Sequence, residues 1–234
     1  MRPYIDLMKL RVVELLVITT VPALFLAAHG WPPLKETIAS LLGGTFAAGA
    51  ANAYNMVIES EIDKKMVRTM KRPIAAGLIS KKQASRFATL LMILSLLIFW
   101  FFTTPLATLL TSLAIVFYVG IYTVALKPNT KQNIVWGGIA GCLPVLIGWA
   151  AITNSLSMTS FLFFLVVFFW TPPHFWAIAI KYKEDYANAN IPMLPVVATR
   201  KRVYAEMWFH TIMMVACSFL TVQSAHLPTW VYYL

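Results

Sequence analysis

Long apolar runs joined by short polar links leave this chain few ways to fold. Seven candidate helices run near Val12–Ala28, Ile38–Ile58, Phe87–Thr103, Pro105–Leu126, Asn133–Ile152, Ser160–Ile180 and Met207–Val222. Each is about as long as a crossing of a ~30 Å hydrocarbon layer requires. The composition agrees: 12% of residues are charged and the mean hydropathy is +0.72, whereas soluble domains carry about 25% charged residues. The expectation is an all-α, polytopic transmembrane helix bundle of about seven spans, with one domain over residues 1–234. Trp31, Tyr122, Trp149 and Trp230 lie near span ends, as interfacial anchors do. Cys142 and Cys217 sit in apolar runs and carry no disulfide or zinc signature. No cleavable signal is expected before the first span.

Charge placement orients the bundle. Arg2, Lys9 and Arg11 fall on one side, followed by Lys64, Lys65, Arg68, Lys71, Arg72, Lys81, Lys82 and Arg86. Lys127, Lys131, Lys181, Lys183, Arg200, Lys201 and Arg202 join them, while the other side takes only Lys35. Basic loops stay inside, so the N-terminus is expected in the cytoplasm and the chain in the cell (inner) membrane. The net charge of +10 is therefore topogenic. It does not signal nucleic-acid binding, and part of it suits anionic lipid headgroups.

Two polar constellations sit at the basic side. In the first, a helix running on through Asn55-Met-Val-Ile-Glu59-Ser-Glu61-Ile-Asp63 places Asn55, Glu59 and Asp63 at i, i+4 and i+8, on one face. Polar groups at a membrane boundary are costly unless they face a cavity or a partner. Oxygen donors gathered this way suit a hard cation such as Mg2+. Arg68, Lys71 and Arg72 follow within reach of an anion docked on it, and Pro73 ends the helix. Glu61 points elsewhere.

The second constellation follows Pro172-Pro173, a helix-breaking pair. His174, Ile178, Lys181 and Asp185 are spaced to share one helical face. Glu184 or Asp185 is expected to complete a second cation site, with Lys181 gripping a phosphate. A third stretch, Lys127-Pro-Asn129-Thr130-Lys131, reads equally as an ordinary polar turn. Gly137 and Gly141 have the spacing of close helix packing, as do the small residues from Gly43 to Ala51. Glu14, inside the first span, either pairs with Arg11 or another basic group or faces a cavity.

At these constellations the chain resembles the intramembrane prenyltransferases of the UbiA type, and within them the protohaem IX farnesyltransferase (haem O synthase) subgroup. The run Asn55, Glu59, Asp63, Met66, Arg68-Thr69, Arg72-Pro73 is similar to the family's first motif. Thr171-Pro-Pro-His174-Phe-Trp176, Tyr182-Lys-Glu-Asp185-Tyr186 and Ile191-Pro-Met-Leu-Pro195 resemble that subgroup in particular. So do Asn133-Ile-Val-Trp-Gly137-Gly138 and Leu143-Pro144 with Gly148-Trp149. The chain departs from the pattern with Glu59 in place of Asp and with a less basic loop at Lys127–Lys131. The family usually has nine spans, so the chain is expected to lack the last two, with an eighth beginning at Trp230.

The resemblance implies Mg2+-dependent transfer of farnesyl from farnesyl diphosphate to a vinyl group of haem b, giving haem O. It assigns catalysis and metal binding to Asn55, Glu59, Asp63 and Asp185, with Glu184 as a further metal ligand. Arg68, Lys71, Arg72, Lys181, His174 and Tyr186 would hold substrate. His174 would orient haem, as an axial ligand or by bonding a propionate. The lipid bilayer is an implied partner, and there is room for a haem A synthase or oxidase-assembly partner. Alternatives are an aromatic quinone precursor as acceptor, a membrane transporter, or an inactive scaffold.

Overall fold

The computed structural model describes residues 2–227, which form helices and no strand. Trp230, and the eighth span expected to begin there, lie outside the described residues. Seven long helices follow a short one, Arg2–Met8. They are α1 (Leu10–Ala28), α2 (Leu34–Ile58), α3 (Lys81–Phe102), α4 (Pro105–Asn129), α5 (Asn133–Thr153), α6 (Met158–Lys181) and α7 (Arg200–Ser224). Their starts are written in the sequence as capping residues. Ser80 with Gln83 and Ser157 with Ser160 form reciprocal capping boxes for α3 and α6. The Thr104 and Thr199 hydroxyls accept from the first turns of α4 and α7.

Six of these helices are both long and apolar enough to cross a membrane; α2 is the exception. Its 25 residues give it about 37 Å of length, enough to cross. It falls short in hydropathy because it buries Ala, Gly, Ser and Asn against α1, α3, α4 and α5. A helix lined by protein does not need a lipid-facing apolar surface. The centre of the bundle is α5, with 61% of its apolar window buried against 17–28% in the other five. It packs against α1, α4 and α6, while α2 packs on α3 and α6 on α7. Gly43 lets α2 approach α3, since a Cβ there would stand 2.8 Å from the Phe99 ring.

Four expectations need correction. Trp149 is 6% exposed and belongs to the interior, and Tyr122 is pressed onto Gly137 of α5. Trp149 is no surface anchor and Tyr122 is only partly exposed; of the described residues proposed for that role, only Trp31, 89% exposed, is fully open. Gly141 meets nothing within 4 Å, and the close contacts fall to Gly137 and Gly138. The prolines Pro172 and Pro173 do not break α6, which runs through both. They remove two i→i−4 bonds, a loss that neighbouring helices can absorb within a bundle.

Candidate functional site

At the basic end of the bundle, α2 stops at Ile58. Glu59 adopts φ −84° and ψ 2°, and a single helical turn, Ser60–Asp63, follows. The i→i−4 bonds survive this kink: Glu59 N–H donates to Asn55 O at 2.9 Å and Asp63 N–H to Glu59 O at 2.8 Å. The predicted stack of Asn55, Glu59 and Asp63 is therefore intact, and all three are at most 3% exposed. The helix ends at Asp63, not at Pro73. Beyond it the buried Thr69 hydroxyl donates back to Asp63 O (3.1 Å), which folds the chain over the acidic face. Arg72 thereby reaches both Asp63 oxygens, at 2.7 and 2.9 Å, and stands 3.8 Å from Glu59 Oε2.

Two further cations complete the cluster. Lys127 Nζ donates to Glu59 Oε1, and Lys9 Nζ to Asn55 Oδ1 at 2.7 Å. Three basic side chains thus face two buried carboxylates, an excess of positive charge suited to an anion. Burial alone would push the Glu59 carboxyl up. The ammonium groups of Lys127 and Lys9, with Arg72, outweigh it and hold the group below its ordinary value, so Glu59 is ionised at neutral pH. Burial, reinforced by Arg72, pulls Lys9 well below the usual lysine range against the opposing pull of Glu59.

Sequence reading missed Lys9 as a site residue and underrated Lys127. Lys9 sits between Arg2–Met8 and α1 with φ 53° and ψ 61°, a left-handed conformation costly for a residue with a side chain. The short helix is pinned by Leu7 in the core and by Tyr4 against Phe87, and the Met8 carbonyl accepts from Asn52. Lys127 depends on a rarer feature: α4 is π-helical over Phe117–Leu126. On an α-helix Lys127 would point about 180° away from Tyr118. With i→i+5 bonding and about 4.4 residues per turn, it comes within about 20°, with Tyr122 and Thr123 to either side. No α-helical periodicity reveals that face. Gly137 is its structural counterpart, since a Cβ there would collide with the Tyr122 ring.

The second constellation is divided. Tyr182 (φ −109°, ψ 31°) ends α6 after Lys181, and Asp185 lies on a separate short helix, Lys183–Asn188. The single face expected for His174, Lys181 and Asp185 therefore does not form. Asp185 instead accepts from Val67 N–H (3.4 Å) and Arg68 N–H (3.1 Å). Arg68 donates to the Tyr186 hydroxyl at 3.2 Å and lies 5.7 and 5.8 Å from the Tyr182 and Tyr186 ring centres. The two motifs are thus joined by direct bonds. Lys181, exposed, lies over Tyr182. Lys71 and Glu184 are exposed. His174, on α6, stacks on Trp170 with ring centres 4.3 Å apart. His210 bonds the Glu206 carbonyl at 2.8 Å and touches Phe169, Trp176 and Phe209. Glu14 is exposed on α1, and none of the ion pairs among the described residues includes it.

Among the described residues no three His, Cys, Asp or Glu side chains come together as a metal cage. The donor chemistry nevertheless fits Mg2+: an amide and two carboxylates, hard oxygen donors, stacked on one buried face. Their oxygens are held by Lys9, Lys127 and Arg72. The last two keep 17% and 18% of their side chains exposed. The expected second cation site is less complete, because Asp185 spends its oxygens on backbone N–H groups.

Comparison with known proteins fits this geometry. The sequence signature of the UbiA prenyltransferase family matches residues 16–234. The chain is similar to the protoheme IX farnesyltransferase of Renibacterium salmoninarum, 48% identical over 225 residues that cover 96% of this chain and 71% of the relative. It is also similar to that of Streptomyces coelicolor, 47% identical over 231 residues covering 99% and 73%. In fold it resembles a UbiA homologue from Archaeoglobus fulgidus bound to DMAPP and Mg2+, with TM-score 0.77 and 16% identity over 94% of this chain and 77% of that one. An apo UbiA homologue from Aeropyrum pernix K1 gives TM-score 0.75 and 20% identity, covering 94% and 81%.

Proposed function

The chain belongs to the UbiA prenyltransferase family, and from that membership we propose that it transfers farnesyl from farnesyl diphosphate to a vinyl group of haem b, making haem O. It is a multi-pass membrane protein. The basic end is assigned to the cytoplasmic face of the cell membrane, because the loops that gather there hold nearly all the lysine and arginine. The observation that carries the reading is the pair of buried carboxylates, Glu59 and Asp63, matched by three cations and tied through Arg68 to Asp185 and Tyr186.

In the reaction the C1–O bond of farnesyl diphosphate breaks and the diphosphate leaves with the electron pair. The vinyl π-electrons form a C–C bond to the allylic cation. Water adds to the new cation beside the macrocycle and loses a proton, leaving a hydroxyethyl-farnesyl group. Mg2+ held by Asn55, Glu59 and Asp63 would supply charge neutralisation at the phosphate oxygens. Arg72 and Lys127, released from the carboxylates, give charge-assisted hydrogen bonds to the leaving group, and Lys9 and Arg68 add to them. The surrounding apolar helices exclude water from the cation, and aromatic faces stabilise it. His174, stacked on Trp170, is assigned to haem.

Reconstituting the chain with haem b, Mg2+ and farnesyl diphosphate should yield haem O by mass, and chelating Mg2+ should stop it. Prenylation of hydroxybenzoate in preference to haem b would overturn the acceptor assignment.

A further inference from the structure

Asn55 has one amide oxygen to offer a metal, and its usefulness depends on which way the amide is turned. Two neighbours settle the orientation. On one side Lys9 Nζ donates to Asn55 Oδ1 at 2.7 Å. On the other side Asn55 Nδ2 lies 3.2 Å from Thr123 Oγ1. The Thr123 hydroxyl has a single hydrogen, which goes to the Tyr118 carbonyl at 2.8 Å, five residues back along the π-helical segment. Toward Asn55 it acts as acceptor, and only the NH2 end of the amide can meet it. Thr123 is 4% exposed and Asn55 1%, so the bond between them is shielded from water.

We propose that Thr123 is a positioning residue for the diphosphate–metal site: held by the π-helix, it fixes the Asn55 amide with Nδ2 toward Thr123 and Oδ1 toward Lys9. This rests on the reading of Asn55 as a metal ligand. The π segment is essential to it, because on an α-helix Thr123 would lie about 140° from Tyr118 rather than about 50°.

The test is binding of Mn2+, as a spectroscopic stand-in, to the purified chain with inorganic diphosphate, followed by electron paramagnetic resonance. Thr123→Val removes the acceptor at nearly constant volume, Thr123→Ala does so with a smaller side chain, and Thr123→Ser keeps the hydroxyl. Val and Ala should each weaken Mn2+ binding about five- to tenfold, the worth of one oriented hydrogen bond, while Ser stays within about twofold of the parent. Circular dichroism and thermal midpoints identify any variant that fails to fold, and the other two then decide. Unchanged affinity in Val and Ala, or equal loss in Ser and Val, overturns the proposal. If the parent binds Mn2+ with diphosphate but makes no haem O, the acceptor assignment falls and the positioning role is judged on the variants alone. If the parent binds no Mn2+ with diphosphate, both fall.

Discussion

Replacing Lys127 with Met removes one charge from a buried pair and leaves the other. Glu59 is 3% exposed and Lys127 17%. Removing one partner of a buried ion pair costs about 3–5 kcal/mol when the remaining charge is uncompensated. Here compensation is partial: Arg72 stands 3.8 Å from the second Glu59 oxygen, and Lys9 also acts on Glu59. The expected destabilisation is therefore about 2–3 kcal/mol, or about 4–12 °C in the unfolding midpoint. Thermal unfolding in detergent micelles, followed by circular dichroism, measures it. Adding Glu59→Gln should recover most of the loss, to within about 1 kcal/mol of the parent, because the orphaned charge is gone. Lys64→Met, which breaks the exposed pair with Glu61, should leave the midpoint where it was. If Lys127→Met behaves like Lys64→Met, or the double variant is less stable than the single, the reasoning about a buried network fails.

Other outcomes follow from the same network. Asp185→Ala removes the acceptor for Val67 and Arg68 N–H; amide exchange over residues 66–72 should quicken by about tenfold, while exchange in α5 stays as it was. His174→Ala should weaken haem b use more than farnesyl diphosphate use, read as separate KM values; equal losses would make it a packing residue. Glu59 carries a pH signature. Its folded value lies below its ordinary 4.5, so its contribution to stability is fully present above the unfolded value and is lost as pH falls through the folded one. In Lys127→Met that loss should begin at higher pH, and in Glu59→Gln this component of the melting profile should vanish.

Helix positions were legible because apolar runs of membrane length are local signals; the starts of α3 and α7, expected at Phe87 and Met207, lie earlier, at Lys81 and Arg200, where Ser80 and Thr199 cap polar first turns. The acidic face was legible because the spacing of Asn55, Glu59 and Asp63 survives the kink at Glu59. Lys9 was not, since its role depends on a left-handed residue between two helices. Lys127 and Thr123 were not, since α-helical geometry turns both away from the face that carries Tyr118. The extended face through Asp185 was misjudged at Tyr182, whose backbone leaves the helix where no proline or glycine announces it. The prolines that do stand nearby, Pro172 and Pro173, were credited with a break that the bundle absorbs.

The most direct test of the carboxylate–cation cluster is calorimetric titration of the purified chain with Mg2+ and inorganic diphosphate, separately and together. If Lys127 and Arg72 hold the carboxylates, and Lys9 the Asn55 amide, until an anion draws them off, each ligand alone should bind weakly. The two together should bind at least about tenfold more tightly, and Asp63→Asn should erase that coupling. Tight Mg2+ binding without diphosphate, or coupling that survives in Asp63→Asn, would contradict it.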